Sequence, residues 1–206
     1  MFDALKSAGW RPLSVLDIGG YKGHWTRDVR NTFPTASFAV VEPNHHPELS
    51  TLGVPVYHEV LSSTSKDVLW HSNMSTGDSM FKELTRHYKD VVPTPRRTTT
   101  LDSLFPSQVF DFIKLDCQGA ELEILKGGEN LVGKATVLLL ECPFAGQYNE
   151  AAPTFAEYIR TLDALGFAPL DITEFHRANG VLFQVDLLCL RKTSPLWNVV
   201  QARVTG

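Results

Sequence analysis

Four carboxylates in this sequence sit where apolar runs end. Val15-Leu16-Asp17-Ile18 leads straight into Gly19-Gly20-Tyr21-Lys22-Gly23, and Ala39-Val40-Val41 ends in Glu42-Pro43. Further along, 110–116 ends in Asp116 and 136–141 ends in Glu141. A strand, a glycine turn and a helix start together lay bare backbone against a nucleotide-like ligand. In the dinucleotide pattern Gly-x-Gly-x-x-Gly follows the strand and the acidic residue comes about 20 residues later. Here Asp17 also precedes the glycines, where it would repel a pyrophosphate and suit a positive amino or sulfonium group. Glu42 falls where a carboxylate can accept both hydroxyls of a ribose. The pair points to S-adenosylmethionine rather than NAD. The plainer alternative is that Asp17 caps the next helix and Glu42 is a solvated strand end. The expected donor site is Asp17, Gly19, Gly20, Tyr21, Gly23, Glu42, Pro43, Leu61 and Asp116.

Apolar runs and helical periods alternate along the chain, as in an open α/β sheet. Strands are expected at 13–18, 37–41, 54–61, 110–116, 136–141, 168–172 and 184–190. Their continuous apolar character suits parallel strands covered on both faces. Helices are expected at 1–9, 23–32, 121–126 (stopping at Gly127-Gly128) and 154–165, where Thr154 and Glu157 have capping-box spacing. The stretch 62–100 breaks the alternation. Its mixture of Met74, Asp78, Ser79, Phe81, Arg86 and Tyr88 reads as a partly ordered cover on the substrate side, within one domain spanning 1–206.

With 206 residues, 43% hydrophobic and 20% charged, the chain can build one substantial core. A net charge of −4, with only isolated pairs such as Arg96-Arg97 and Arg191-Lys192, argues against a nucleic-acid track. No apolar run approaches the roughly 20 residues of a membrane span. Cys117, Cys142 and Cys189 have neither zinc nor disulfide spacing, which fits a cytoplasmic protein. Asp3 in the first amphipathic segment argues against a secretion signal.

Taken in order, LDIGGYKGHWT at 16–26, VEPN at 41–44, TTTLDSL at 98–104, DFIKLDCQGAELEILKGG at 111–128 and QVDLLCLRK at 184–192 resemble the FkbM-type methyltransferases. The resemblance implies a Rossmann-like class I methyltransferase fold. Its sheet would be seven-stranded and mostly parallel, with helices on both faces and the last strand antiparallel. It also implies O-methylation of a hydroxyl of a sugar, glycan, glycolipid or other natural product, leaving S-adenosylhomocysteine. The chain departs from the family at Gly20-Tyr21, where Ala-Asn is frequent, and at Cys117-Gln118-Gly119, where Val-Glu-Gly is frequent. The second departure leaves position 118 without its acid.

An alcohol is a weak acid, so its methylation calls for a base, a metal or close positioning. Asp116 is the first candidate for the base; it could equally cap the helix that starts near Gly119 or bind the cofactor amine. Glu141, on the neighbouring strand, could assist, cap a helix or pair with Lys114. His24 could face the donor or simply cap locally. Asp116 and Glu141 could also hold Mg²⁺, but no third ligand is evident and metal use is not favoured. Gln118, Glu121, Asp78, Ser79 and Arg86 are the expected acceptor contacts; for Glu121 a helix N-terminal charge role is the alternative. Two other readings stay open: a catalytically silent cofactor-binding or assembly protein, and an NAD-type oxidoreductase. The oligomeric state is not readable from the sequence.

Overall fold

The computed structural model describes residues 2–205. Its strands are β1 (Ser14–Ile18), β2 (Ser37–Val41), β3 (Val56–Tyr57), β4 (Val60–Leu61), β5 (Asp67–Trp70), β6 (Thr94–Thr99), β7 (Phe112–Leu115), β8 (Val137–Pro143), β9 (Phe167–Ala178) and β10 (Val181–Arg191). The helices are α1 (Asp3–Ser7), α2 (His24–Thr32), α3 (Leu101–Leu104), α4 (Glu121–Lys126), α5 (Glu129–Val132), α6 (Phe155–Ala164) and α7 (Pro195–Thr205). Seven strands form one sheet in the order β3-β2-β1-β7-β8-β10-β9. The first five run parallel, and β10 is antiparallel to both β8 and β9. This is the Rossmann-like class I methyltransferase sheet that the sequence led us to expect.

The central strands are long apolar runs because both of their faces are covered. All seven residues of β8 are buried. On one face Leu16, Ile113 and Leu138 pack with Ile124, Leu125, Tyr158 and Leu162 of α4 and α6. On the other, Val15, Phe112 and Leu139 pack with Leu5, Val29, Leu196 and Val200 of α1, α2 and α7. Chain order reverses between β1 and β7, so the turns after β1, β2, β7 and β8 gather at one edge, where open sheets bind ligands. The capping box of α6 forms as its spacing predicts: both the Thr154 N–H and hydroxyl donate to Glu157 Oε2 at 2.7 Å.

Several elements differ from the expectations, among them the short helices α3 and α5. The run 54–61 is not one strand. After Glu42 N–H bonds to Tyr57 O at 2.9 Å, the His58 ring takes the Glu42 carbonyl at 2.8 Å, so a side chain ends the backbone ladder. The chain then turns away, and β4 pairs with β6 in a separate three-stranded sheet, β4-β6-β5. Two of those strands lie in the 62–100 segment, where none was expected, because β6 is the polar and mostly exposed Thr-Pro-Arg-Arg-Thr-Thr. The final hairpin is longer than the burial pattern suggests: β9 runs to Ala178 and turns at Asn179-Gly180, with φ of 51° and 81°. Helix α7 was not anticipated; Leu196 and Val200, one turn apart, anchor it.

Gly20 has no room for a side chain, since a Cβ there would lie 2.3 Å from Val40 Cγ1. Gly20→Ala should therefore overpack the β1–β2 junction and cost about 1–3 kcal/mol in urea unfolding. Adding Val40→Ala should make the loss less than additive, because the two sites share one space. Additive losses would mean that Gly20 is required for another reason.

Candidate active site

Two cavities meet at the carboxyl edge of the sheet. The first has an apolar floor that includes Ile18, Val41, Val60, Leu61 and Ile124. Gly19, Tyr21, Glu42, Pro43, Glu59, Asp78 and Asp116 give it a polar rim. The second, a larger open cleft, is lined by Asp116, Gln118, Glu141, Arg86, Glu83 and a wall containing Tyr148, His176 and Phe183. Asp116, Ser75 and Thr76 line both.

Glu42 is buried at the end of β2, and each of its oxygens accepts one backbone N–H: Tyr21 to Oε2 and Asn44 to Oε1, both at 2.9 Å. Burial raises its pKa, and those N–H bonds oppose the rise. Glu42 lines the first cavity, and each oxygen retains accepting capacity beyond its one N–H bond. Gly19 has φ of +77° and lies so close to β7 that a Cβ would sit 1.9 Å from the Asp116 carbonyl, so the backbone itself forms the wall here.

Asp17 is placed differently from the expectation. It is fully buried and lines neither cavity. Its Oδ2 accepts a short hydrogen bond from the Thr26 hydroxyl, and its Oδ1 lies 3.2 Å from the Lys114 ammonium, an ion pair without hydrogen-bond geometry. Lys114 also lies 3.1 Å from Asp116 Oδ2 and donates to the Gly19 carbonyl at 3.1 Å. Burial would lower the pKa of this ammonium, but Asp116 and Asp17 together outweigh it and raise the value. The charge of Asp17 is thus already met by Lys114 and Thr26. Lys114 was considered from the sequence only as a partner for Glu141; a lysine amid the buried Phe-Ile-Lys-Leu run of β7 was the available signal of a larger role.

Gly20 and Gly23 also lie outside the cavity, packed against Val40 and Leu52. His24 is exposed at the start of α2 and lines neither cavity. Ser79 is buried, its hydroxyl directed to the Cys117 and Gln118 carbonyls, and it lines neither cavity. Asp78 lines the first cavity rather than the cleft, whereas Arg86 and Gln118 do line the cleft.

Glu121 sits behind the turn that follows β7. Its Oε1 accepts the N–H of Cys117 at 2.7 Å and of Gly119 at 3.3 Å, and Tyr158 donates to Oε2. It supports the active-site loop from behind and lines neither cavity. Gln118, with φ of +53°, turns its amide into the cleft and donates to Asp116 at 3.1 Å and to Glu141 at 2.5 Å. Glu141 also accepts from Tyr148 and Gln184, so all these partners are neutral. Burial, then the charge of Asp116, pushes its pKa well above the usual carboxylate range. Among the described residues no group of three or more His, Cys, Asp or Glu is placed to hold a metal ion, and no helix is long and apolar enough to cross a membrane.

Burial raises the Glu121 pKa from 4.5 to about 7, against the bonds from Tyr158 and Cys117. The folded state then keeps a proton that the unfolded chain releases above pH 4.5, so this group's contribution to stability falls as pH rises from 4.5 toward 7. Glu121→Gln keeps the shape and abolishes the titration. Its stability relative to the parent should rise across that window by up to about 3 kcal/mol, measured by urea unfolding at several pH values. Parallel stability–pH curves would remove this assignment.

No curated protein matches the chain significantly. Among solved structures, the putative tRNA methyltransferase Sp1610 of Streptococcus pneumoniae is 12% identical with a TM-score of 0.50, covering 100% of this chain and 84% of that one. The toxoflavin-pathway N1-methyltransferase of Burkholderia thailandensis, solved with S-adenosylhomocysteine, is 14% identical with a TM-score of 0.49, covering 92% of this chain and 78% of that one. Methyltransferase FkbM of Methylobacillus flagellatus KT is 14% identical with a TM-score of 0.47, covering 86% of this chain. The match spans only 43% of that longer protein. The profile of the methyltransferase FkbM domain matches residues 17–169, three quarters of the sequence, including β2, β3, β7 and β8 of the sheet, and the chain belongs to the FkbM methyltransferase family.

Proposed function

We propose that this protein transfers the methyl group of S-adenosylmethionine to a hydroxyl of a sugar, glycan, glycolipid or other small natural product. The observation that carries this reading is Asp116. It stands at the carboxyl end of β7 and lines both the first cavity and the adjoining cleft. A group reaching both spaces can touch an acceptor at the point of transfer.

The residues of the smaller cavity suit the donor. The apolar floor fits an adenine face, the free lone pairs of Glu42 fit a ribose diol, and the bare Gly19 backbone admits close approach. When bound, the donor supplies an activated methyl group on a sulfonium centre. What remains for the protein is to align the acceptor, exclude water and accept one proton.

Asp116 and Glu141 divide the last task. Lys114 keeps Asp116 ion-paired and fixed, which suits it to orient the acceptor hydroxyl. Glu141, held by Gln118, Tyr148 and Gln184, lacks a cationic partner and has a raised pKa. A carboxylate with a raised pKa is a stronger base, so we assign it the proton. The cleft suits a polyhydroxylated acceptor: the aromatic wall offers apolar faces, and Gln118, Arg86 and the carboxylates offer hydrogen bonds. The 62–100 segment, whose Ser75 and Thr76 line both spaces, serves as the cover.

Glu42→Ala should weaken S-adenosylhomocysteine binding about ten- to a hundredfold by calorimetry, with the fold intact. Unchanged affinity would remove the donor-site assignment. With labelled donor and carbohydrate or glycolipid extracts, Glu141→Gln should cut turnover by about 10²–10⁴ while donor affinity holds. The parent rate should rise with pH through the raised Glu141 pKa, and the variant should lose that limb. Chelators should leave the parent rate unchanged. Labelling of amines alone, with no labelled hydroxyl, would refute O-methylation.

A further inference from the structure

We infer that Asn44 is a positioning residue that couples donor occupancy to the wall of the acceptor cleft, so that a bound donor tightens the 72–79 segment that forms part of that wall. The inference rests on the methyltransferase reading above and extends it to a residue outside both cavities.

Asn44 is buried, 4% exposed, and each of its side-chain atoms has a specific partner. Its backbone N–H donates to Glu42 Oε1 at 2.9 Å. Its Nδ2 donates to Asp78 Oδ2 at 2.7 Å, and its Oδ1 accepts the Trp70 indole N–H at 3.2 Å. The orientation of the amide is forced, since an indole only donates and a carboxylate only accepts. Asn44 thus joins the residue expected to hold the ribose to the residue around which the cover segment folds.

Asp78 is the centre of that fold. Its oxygens accept the Ser72 hydroxyl at 2.6 Å, the N–H of Asn73 at 3.0 Å and of Met74 at 3.1 Å, and the Tyr88 hydroxyl at 2.6 Å. Met74 takes φ of +65°, which bends the chain tightly around the carboxylate. Ser75 Oγ lies 2.7 Å from the Tyr88 hydroxyl. Ser75 and Thr76 line both cavities and Tyr88 lines the cleft, so moving Asp78 moves the cleft wall.

A ligand shifts such a segment only if it interacts differently with the two arrangements. Here the difference is electrostatic. Glu42 and Asp78 both line the donor cavity, both bond to Asn44, and their like charges repel through it. The partners of Asp78 are neutral donors, and those of Glu42 are backbone N–H groups. A donor bringing hydroxyls to Glu42 and positive charge into the same cavity offsets that repulsion. The bonds that Asn44 makes to both carboxylates are then opposed less, and the segment is held more tightly around Asp78.

Hydrogen exchange on the intact protein, with S-adenosylhomocysteine and with S-adenosylmethionine, tests this. In the parent, amides in 73–79 should exchange at least about tenfold more slowly with saturating ligand. Asn44→Ala should still be saturable by S-adenosylhomocysteine yet lose this ligand-dependent slowing. Should Asn44→Ala fail to fold, Asp78→Asn, which keeps the shape and removes the charge, should show the same loss. A merely structural Asn44 would speed exchange equally in free and bound protein and keep the ligand-induced change, and that result would overturn the inference. So would a parent that binds S-adenosylhomocysteine without any slowing in 73–79. A parent that does not bind S-adenosylhomocysteine would overturn the functional reading itself.

Discussion

The buried ammonium of Lys114 is the interaction on which the rest of the site depends. It lies on β7 at the point where chain order in the sheet reverses, and it reaches Asp17 on β1, Asp116 at the end of β7 and the carbonyl of Gly19 in the intervening turn. Taking the charges of Lys114 and Asp17 out of water costs several kcal/mol per ion unless geometry and hydrogen bonds compensate. Here one cation answers two anions, and Thr26 supplies a further donor to Asp17. The arrangement ties the glycine turn to the neighbouring strand end, so the two cavities keep a fixed relation. Cutting such a buried pair commonly costs about 3–5 kcal/mol, which makes Lys114 a determinant of both fold and site geometry.

The strand-end carboxylates look alike in sequence and take four different roles because their partners differ. Asp17 is neutralised from within and becomes structural. Glu42 is held by backbone N–H groups at the wall of the first cavity. Asp116 is paired on one side and open on the other, with its side chain 36% exposed. Glu141 has only neutral partners and holds its proton more tightly. Position at the carboxyl edge of a sheet therefore selects candidates, and the charge and direction of the neighbours assign their work.

The sheet was legible because its central strands are buried on both faces, and burial leaves continuous apolar runs in the sequence. What escaped notice was exposed. Strand β6 has no apolar alternation, and the distal parts of β9 and β10 project beyond the core, so only the Asn179-Gly180 dipeptide signalled the long hairpin. The first cavity was partly legible: Glu42, Gly19, Tyr21, Pro43, Leu61 and Asp116, named from the sequence, line it. Asp17 and Glu121 belong to the same motifs yet face away, because period and spacing give the strand end but not the side-chain direction. Tyr148, His176 and Phe183 come together from the segment after β8, from β9 and from β10, and carry no local pattern.

Gln118 shows how a departure from a family pattern can be read once its neighbours are known. Its amide nitrogen bridges Asp116 and Glu141, and its own carbonyl accepts from Ser79 and Asn149. An ionised glutamate at this position could not donate to either neighbour and would add a third negative charge between them. An amide satisfies both carboxylates and holds them apart without altering their charge. The substitution therefore does more than remove an acid. It leaves Lys114 as the sole cation paired at Asp116 among the described residues, and it leaves Glu141 bonded but uncompensated, the state in which a carboxylate binds a proton most readily.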